Sequence, residues 1–236
     1  VQNNPLLRTD PNGALDDYYT YSNGRTEKVE TEGNTDTFHY VDQDYNVTEL
    51  GTFEKNENGL IQLPASYSVN EGDISFSFSV KDGQTDRSFV SPEALASLFG
   101  AFSESGFSDF TITQFSYSDG TSPSPSVSHI NGRNGDFRYL RTDQSGGKVT
   151  VFDGEFDQTR NAQFTQSLAK FGYGDLKSYN VPVPYRNAGI LPNTSHLKGH
   201  DNHLHLQGFN PSINTVRYPS ALPGPVPPPI PTLNLN

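Results

Sequence analysis

The 236-residue sequence has no cysteine, no methionine and no tryptophan. Without cysteine there is neither a disulfide nor a thiolate metal site, so a bound metal would have to use histidine and carboxylate ligands. The absence of methionine leads to the expectation that the chain is a piece of a longer translation product. No run approaches the ~18 apolar residues of a membrane span, and no signal peptide is visible. Cations are scarce: 16 Lys and Arg stand against 27 Asp and Glu, for a formal charge of −11. Nucleic acid is held by clustered Lys and Arg, and these are spread thinly along the chain, which argues against such a partner. Acidity leaves cations, neutral polymers and basic partners open, and often serves solubility alone. Only 32% of residues are hydrophobic, so the core must draw on the 16 Phe and 12 Tyr, whose large side chains offset the shortage of aliphatics.

Glycine (21) and proline (17) are plentiful and mark many turns. We expect a loop-rich α+β protein: an N-terminal β-rich segment, then a small antiparallel sheet with flanking helices. Residues 1–25 open with Asn-Pro, Asp-Pro and Asn-Gly turn pairs. Residues 26–90 read as strands, including Thr37–Val41, Tyr45–Leu50 and the strictly alternating Ile74–Val80, which has the pattern of a half-buried strand. Asn58-Gly59 and Asp82-Gly83 are hairpin-type turns, and His39, alone in a strand, reads as a structural or solvent-facing residue rather than a ligand. From residue 91 the character changes. Ser91-Pro92 starts a helix with a capping serine and a proline in its first turn, and Leu95, Leu98, Phe99 and Phe102 form its apolar stripe. A strand follows at Phe110–Phe115, another at Lys148–Phe152, a second helix at Asp157–Phe171 and a strand at His203–Leu206. Residues 210–236 form a proline-rich tail, expected to be extended.

Five of the six histidines occur in two places: His129, and His196, His200, His203 and His205. His203 and His205 alternate on a strand, so both face one side, about 7 Å apart. In Ser128-His129-Ile130-Asn131-Gly132-Arg133-Asn134-Gly135-Asp136, the two glycines suit a tight excursion that returns Asp136 to His129. Two imidazoles and a carboxylate fill three zinc positions and leave a fourth for water, as in catalytic sites. Zinc would lower the pKa of that water toward ~7 and polarise a carbonyl.

This pattern resembles the lysostaphin and D-Ala-D-Ala metallopeptidase clan: histidine, glycine three residues on, aspartate seven on, and a distant His-x-His. Gly199-His200-Asp201-Asn202-His203-Leu204-His205 is similar to the second motif of its penicillin-insensitive murein endopeptidases. The resemblance covers about residues 91–209. It implies Zn2+ held by His129, Asp136 and His205, with His203 activating water, His200 in a lesser role and Arg133 orienting substrate. Three positions depart from the clan. Val127 stands where serine is usual, Asn134 where alanine is common, and Asn202 where carboxypeptidases carry a glutamate base. The last departure favours an endopeptidase. Asn3-Asn4-Pro5-Leu6 and Thr9-Asp10-Pro11-Asn12-Gly13 resemble the end of an Rhs-repeat core, which implies a secreted antibacterial effector. Such an effector would cut peptidoglycan peptides in the periplasm or wall of a target cell, and an immunity protein would restrain it. Two further readings are a catalytically silent wall- or partner-binding module of the same fold, and a His-dependent nuclease toxin. Asp175 and His196 carry no assignment.

Overall fold

A computed structural model of the chain describes residues 15–30, 33–179 and 191–217. The Rhs-like motifs before residue 14 and the prolines at 223–229 lie outside the described residues. In chain order the first strands are β1 (Leu15–Tyr21), β2 (Arg25–Glu30), β3 (Thr35–Val41) and β4 (Val47–Glu54). They are followed by β5 (Ile61–Gln62), β6 (Ser66–Glu71), β7 (Ile74–Val80), β8 (Phe89–Val90) and helix α1 (Pro92–Ser105). The second half contains β9 (Phe110–Gln114), β10 (Gly135–Arg138), helix α2 (Gln158–Lys170) and β11 (Leu176–Ser178). The last strands are β12 (Thr194–His196), β13 (His203–Leu206) and β14 (Ser212–Arg217). Of the described residues 40% are strand and 17% helix, so the expected α+β class holds with sheet predominating.

The expected divide at residue 90 does not match a break in the fold. β6 and β7 belong to the sheet that carries the second-half strands, a seven-stranded array ordered β12-β11-β13-β10-β9-β7-β6. That sheet is mixed rather than antiparallel, because β7 runs parallel to β9 and β11 parallel to β12. A five-stranded sheet, β14-β2-β1-β3-β4, contains both β1 from the turn-rich residues 1–25 and β14 from the expected tail. Lys148–Phe152 is a loop, not a strand. Val149 and Val151 are buried there, but the Asp153 carboxylate accepts the Thr150 N–H at 2.7 Å and bends the chain before a ladder can form.

Helix α1 begins where expected: Ser91 Oγ accepts the Ala94 N–H at 3.2 Å, with Pro92 in the first turn. Gly106, at φ 67°, ends it in the left-handed conformation that glycine adopts without strain. The sequence shows one apolar stripe, yet Ala94, Ala96, Ser97, Gly100 and Ala101 are buried as well. The helix is enclosed, touching β1 and β3 of one sheet, β7 of the other, and α2. Gly100 makes this fit possible, since a Cβ there would lie 2.5 Å from the Phe171 ring and 2.7 Å from Thr20 Cγ2. Phe99, Phe102, Phe110, Phe137 and Phe164 form a continuous aromatic core around it. Each such ring removed from water is worth about 1.5–3 kcal/mol. His39 proves structural: its ring stacks on Tyr19, and Nε2 lies 3.3 Å from Asp17 Oδ1.

Candidate metal centre

The central strands of the seven-stranded sheet sort their side chains by alternation. Phe137 of β10 and Leu204 and Leu206 of β13 are buried in the core. Asp136, Arg138, His203 and His205 occupy the intervening positions, on the opposite face. Asp136 lies across from His205 and Arg138 from His203 in the antiparallel ladder. The β10–β9 register shifts beside Asp136, and Thr113 Oγ1 donates to the Asp136 carbonyl at 3.1 Å. Such irregularities re-aim side chains locally.

His129 reaches this face from the loop after β9. Its N–H donates to Ser122 Oγ at 3.1 Å, and Asn134 Nδ2 donates to the Ser128 carbonyl at 2.8 Å. The chain then makes a short helical turn, Ile130–Gly132, with Asn131 at φ 55°. Gly132 has φ +62°, and a Cβ there would sit 2.5 Å from Val90 Cα. Only glycine fits that turn, which brings Asp136 back under His129.

His129 Nε2, Asp136 Oδ1 and His205 Nδ1 converge. The Nε2–Oδ1 separation is 3.4 Å, Nε2 to Nδ1 is 3.3 Å, and Nδ1 to Oδ1 is 2.7 Å. Donors around a tetrahedral ion with bonds of about 2.0–2.1 Å lie about 3.3 Å apart, so a slight opening of the shortest edge would admit one. These three residues, two buried and one partly so, could hold a metal ion. The outer shell is half built. Ser128 Oγ lies 3.2 Å from His205 Nε2 and can hold that ring in the tautomer whose Nδ1 is free to ligate. His129 Nδ1 is buried with no partner among the described residues. Burial would raise the Asp136 pKa, but the His129 and His205 hydrogen bonds, with the charges of His129 and His203, hold it well below the usual carboxylate range.

His203 sits at the edge of the trio, its Nε2 4.0 Å from Asp136 Oδ1. Nδ1 lies 2.6 Å from Asn202 Oδ1. An accepting amide oxygen there puts the proton on Nδ1 and leaves Nε2 as a base. Burial lowers the His203 pKa against the opposing Asp136 charge. His200 packs 4.4 Å from the His203 ring, and burial followed by that neighbour's charge lowers its pKa to about 4. The structure thus brings together His129, Asp136, His205, His203 and His200.

Arg133 is not part of this group. It is exposed and lines a separate cavity with Tyr18, Lys28, Lys55 and Glu93, whereas Asp136 and His203 border another of about 520 Å³. The reason is local: the Gly132 turn carries Arg133 towards β8 and the start of α1. His196 packs edge-on against Tyr179, and Asp175 pairs with Lys177. Ser128 and Arg138 went unassigned in the sequence, although Arg138 follows Asp136 by two on the same strand face, a readable signal.

The cations are less evenly spread than the sequence implied. Lys81, Arg87, Arg138 and Lys148 all line the cavity beside the trio, against two carboxylates, Asp136 and Asp153. No protein-family model, curated protein or solved structure matches the chain. Among the described residues no helix is long and apolar enough to cross a membrane.

Proposed function

We propose that this chain is a zinc-dependent peptidase that cuts peptide cross-links of bacterial peptidoglycan, acting as a secreted Rhs-type effector. The observation that carries the reading is the convergence of His129, Asp136 and His205, the histidines separated by 76 positions, on one polar sheet face beside a cavity. The order of the two histidine motifs along the chain, similar to that of the murein endopeptidases, supports the peptide substrate.

His129, Asp136 and His205 would hold the ion. Zinc supplies Lewis acidity and makes a nearby water acidic enough to be deprotonated at neutral pH. His203, neutral at that pH, offers Nε2 to take a proton at the cavity edge, with Asn202 fixing its tautomer. Asn202 occupies the position of the carboxypeptidase glutamate and has no carboxylate of its own, which favours cleavage within cross-links. The low pKa of Asp136 keeps it an anion, as a ligand must be. The test pairs metal analysis with digestion of purified muropeptide dimers, with and without chelator. A zinc-bearing protein whose cleavage stops on chelation supports the reading. Intact dimers in both arms sink it, and a zinc-free protein without thermal response to chelation favours the silent binding module. Plasmid nicking would favour the nuclease.

One observation favours a second reading. Ser128 Oγ lies 3.2 Å from His205 Nε2, and His205 Nδ1 lies 2.7 Å from Asp136 Oδ1, the connectivity of a serine nucleophile, its base and the orienting acid. The neighbouring amides count against it. Ser128 N–H donates to Ser126 Oγ and His129 N–H to Ser122 Oγ, so neither is free to stabilise an oxyanion. Chelator-resistant hydrolysis lost in Ser128→Ala would favour this reading over zinc.

A further inference from the structure

Resting on the peptidase reading, we propose that the substrate presents a carboxylate to the cavity beside the metal trio, held by Arg138 and Lys148 among the cations that line it. The chain carries −11 overall, yet four of its cations gather on this one cavity. Arg138 lies on the same strand face as Asp136, opposite His203. Its Nη1 donates to the Gly146 carbonyl at 2.9 Å, which anchors the guanidinium without neutralising it. Lys81, Arg138 and Lys148 make no ion pair among the described residues, while Arg87 lies 3.8 Å from Asp86 and faces the Tyr117 ring. Placing unpaired cations near one another costs energy that a ligand anion relieves. A guanidinium and an ammonium lining one cavity suit a carboxylate. A cross-linked bacterial wall peptide carries free carboxylates near its cleavable bonds, which a neutral peptide does not. A polyanion such as nucleic acid needs cations along a track, and the net charge repels it.

The test uses two synthetic stem-peptide dimers, one with free carboxylates and one with those groups amidated, titrated against the zinc-loaded protein. The free-acid form is expected to bind about tenfold tighter, with the preference lost in Lys148→Gln and in Arg138→Gln. Lys148 is exposed and its side chain makes no hydrogen bond or ion pair among the described residues, so its variant keeps the test valid if the Arg138 variant misfolds. Equal binding of both forms overturns the inference, as does a preference that survives in Lys148→Gln. So does no binding of either form, or tighter binding of a single-stranded oligonucleotide. A free-acid preference without cleavage sinks the peptidase reading while leaving the carboxylate pocket standing.

Discussion

Ser128→Ala separates the two chemistries that the site supports. The hydroxyl lies 3.2 Å from His205 Nε2 and 3.3 Å from Ser126 Oγ. If His205 ligates through Nδ1, its Nε2–H donates to this oxygen, and removing the oxygen frees the ring to rotate. Outer-shell deletions of this kind weaken metal binding about 10–100-fold, or about 1.4–2.8 kcal/mol. Ser128 is partly exposed, so a water can replace the hydroxyl, and the lower end, about tenfold, is expected. Competition for zinc against a chromophoric chelator reads the affinity. Dimer hydrolysis at saturating zinc reads the chemistry and should stay within a few-fold of wild type. Unchanged zinc affinity would refute the positioning argument. Unchanged affinity together with hydrolysis lost by more than about a thousandfold would mark Ser128 as the nucleophile.

Zinc at a hundredfold excess over its dissociation constant should stabilise the fold by about 2.7 kcal/mol. That is about 5–10 °C in Tm for a chain of this size, read by thermal scanning with and without chelator; an equal shift in His205→Ala would place the ion elsewhere. Asp36 is wholly buried, and burial outweighs the Lys55 ammonium 2.6 Å from its Oδ1, pushing its pKa up to about 6. An unfolded Asp titrates near 3.9, so the folded state holds this proton more tightly. Its contribution is full below about pH 4 and is lost as pH rises through about 6, by about 3 kcal/mol. Asp36→Asn should therefore gain stability relative to wild type between pH 4 and 7, and parallel denaturation curves would refute the assignment. Gly132→Ala combines positive φ with a Cβ 2.5 Å from Val90 Cα and should cost about 2–4 kcal/mol. Urea unfolding checks this, and wild-type stability would mean the turn is not required.

Much of the site was legible in local patterns. His-x-His alternation placed His203 and His205 on one face, and the glycines between His129 and Asp136 announced the turn that reunites them. The Ser91 cap marked the start of α1, while the capping role of Asp157 at α2 emerged only from the structure. The error at Lys148–Phe152 came from reading β-branched residues as a strand where Asp153 closes a turn. Arg133 was assigned by its place in a motif, but the direction of its side chain depends on the packing of Gly132 against β8. The seven-stranded sheet crossing residue 90 had no local signature, because pairing partners are set by distant hydrophobic contacts rather than by neighbours along the chain.

Donor types were decided by composition: with no cysteine, any ion must rest on imidazole and carboxylate, and alternation decided which of them share a face. Tertiary structure alone decided the rest. Folding places the His129 loop over β10 and β13, puts Ser128 against His205, and gathers scattered cations into a single cavity. These placements depend on long-range burial of the aromatic core around α1, which short-range sequence patterns do not encode.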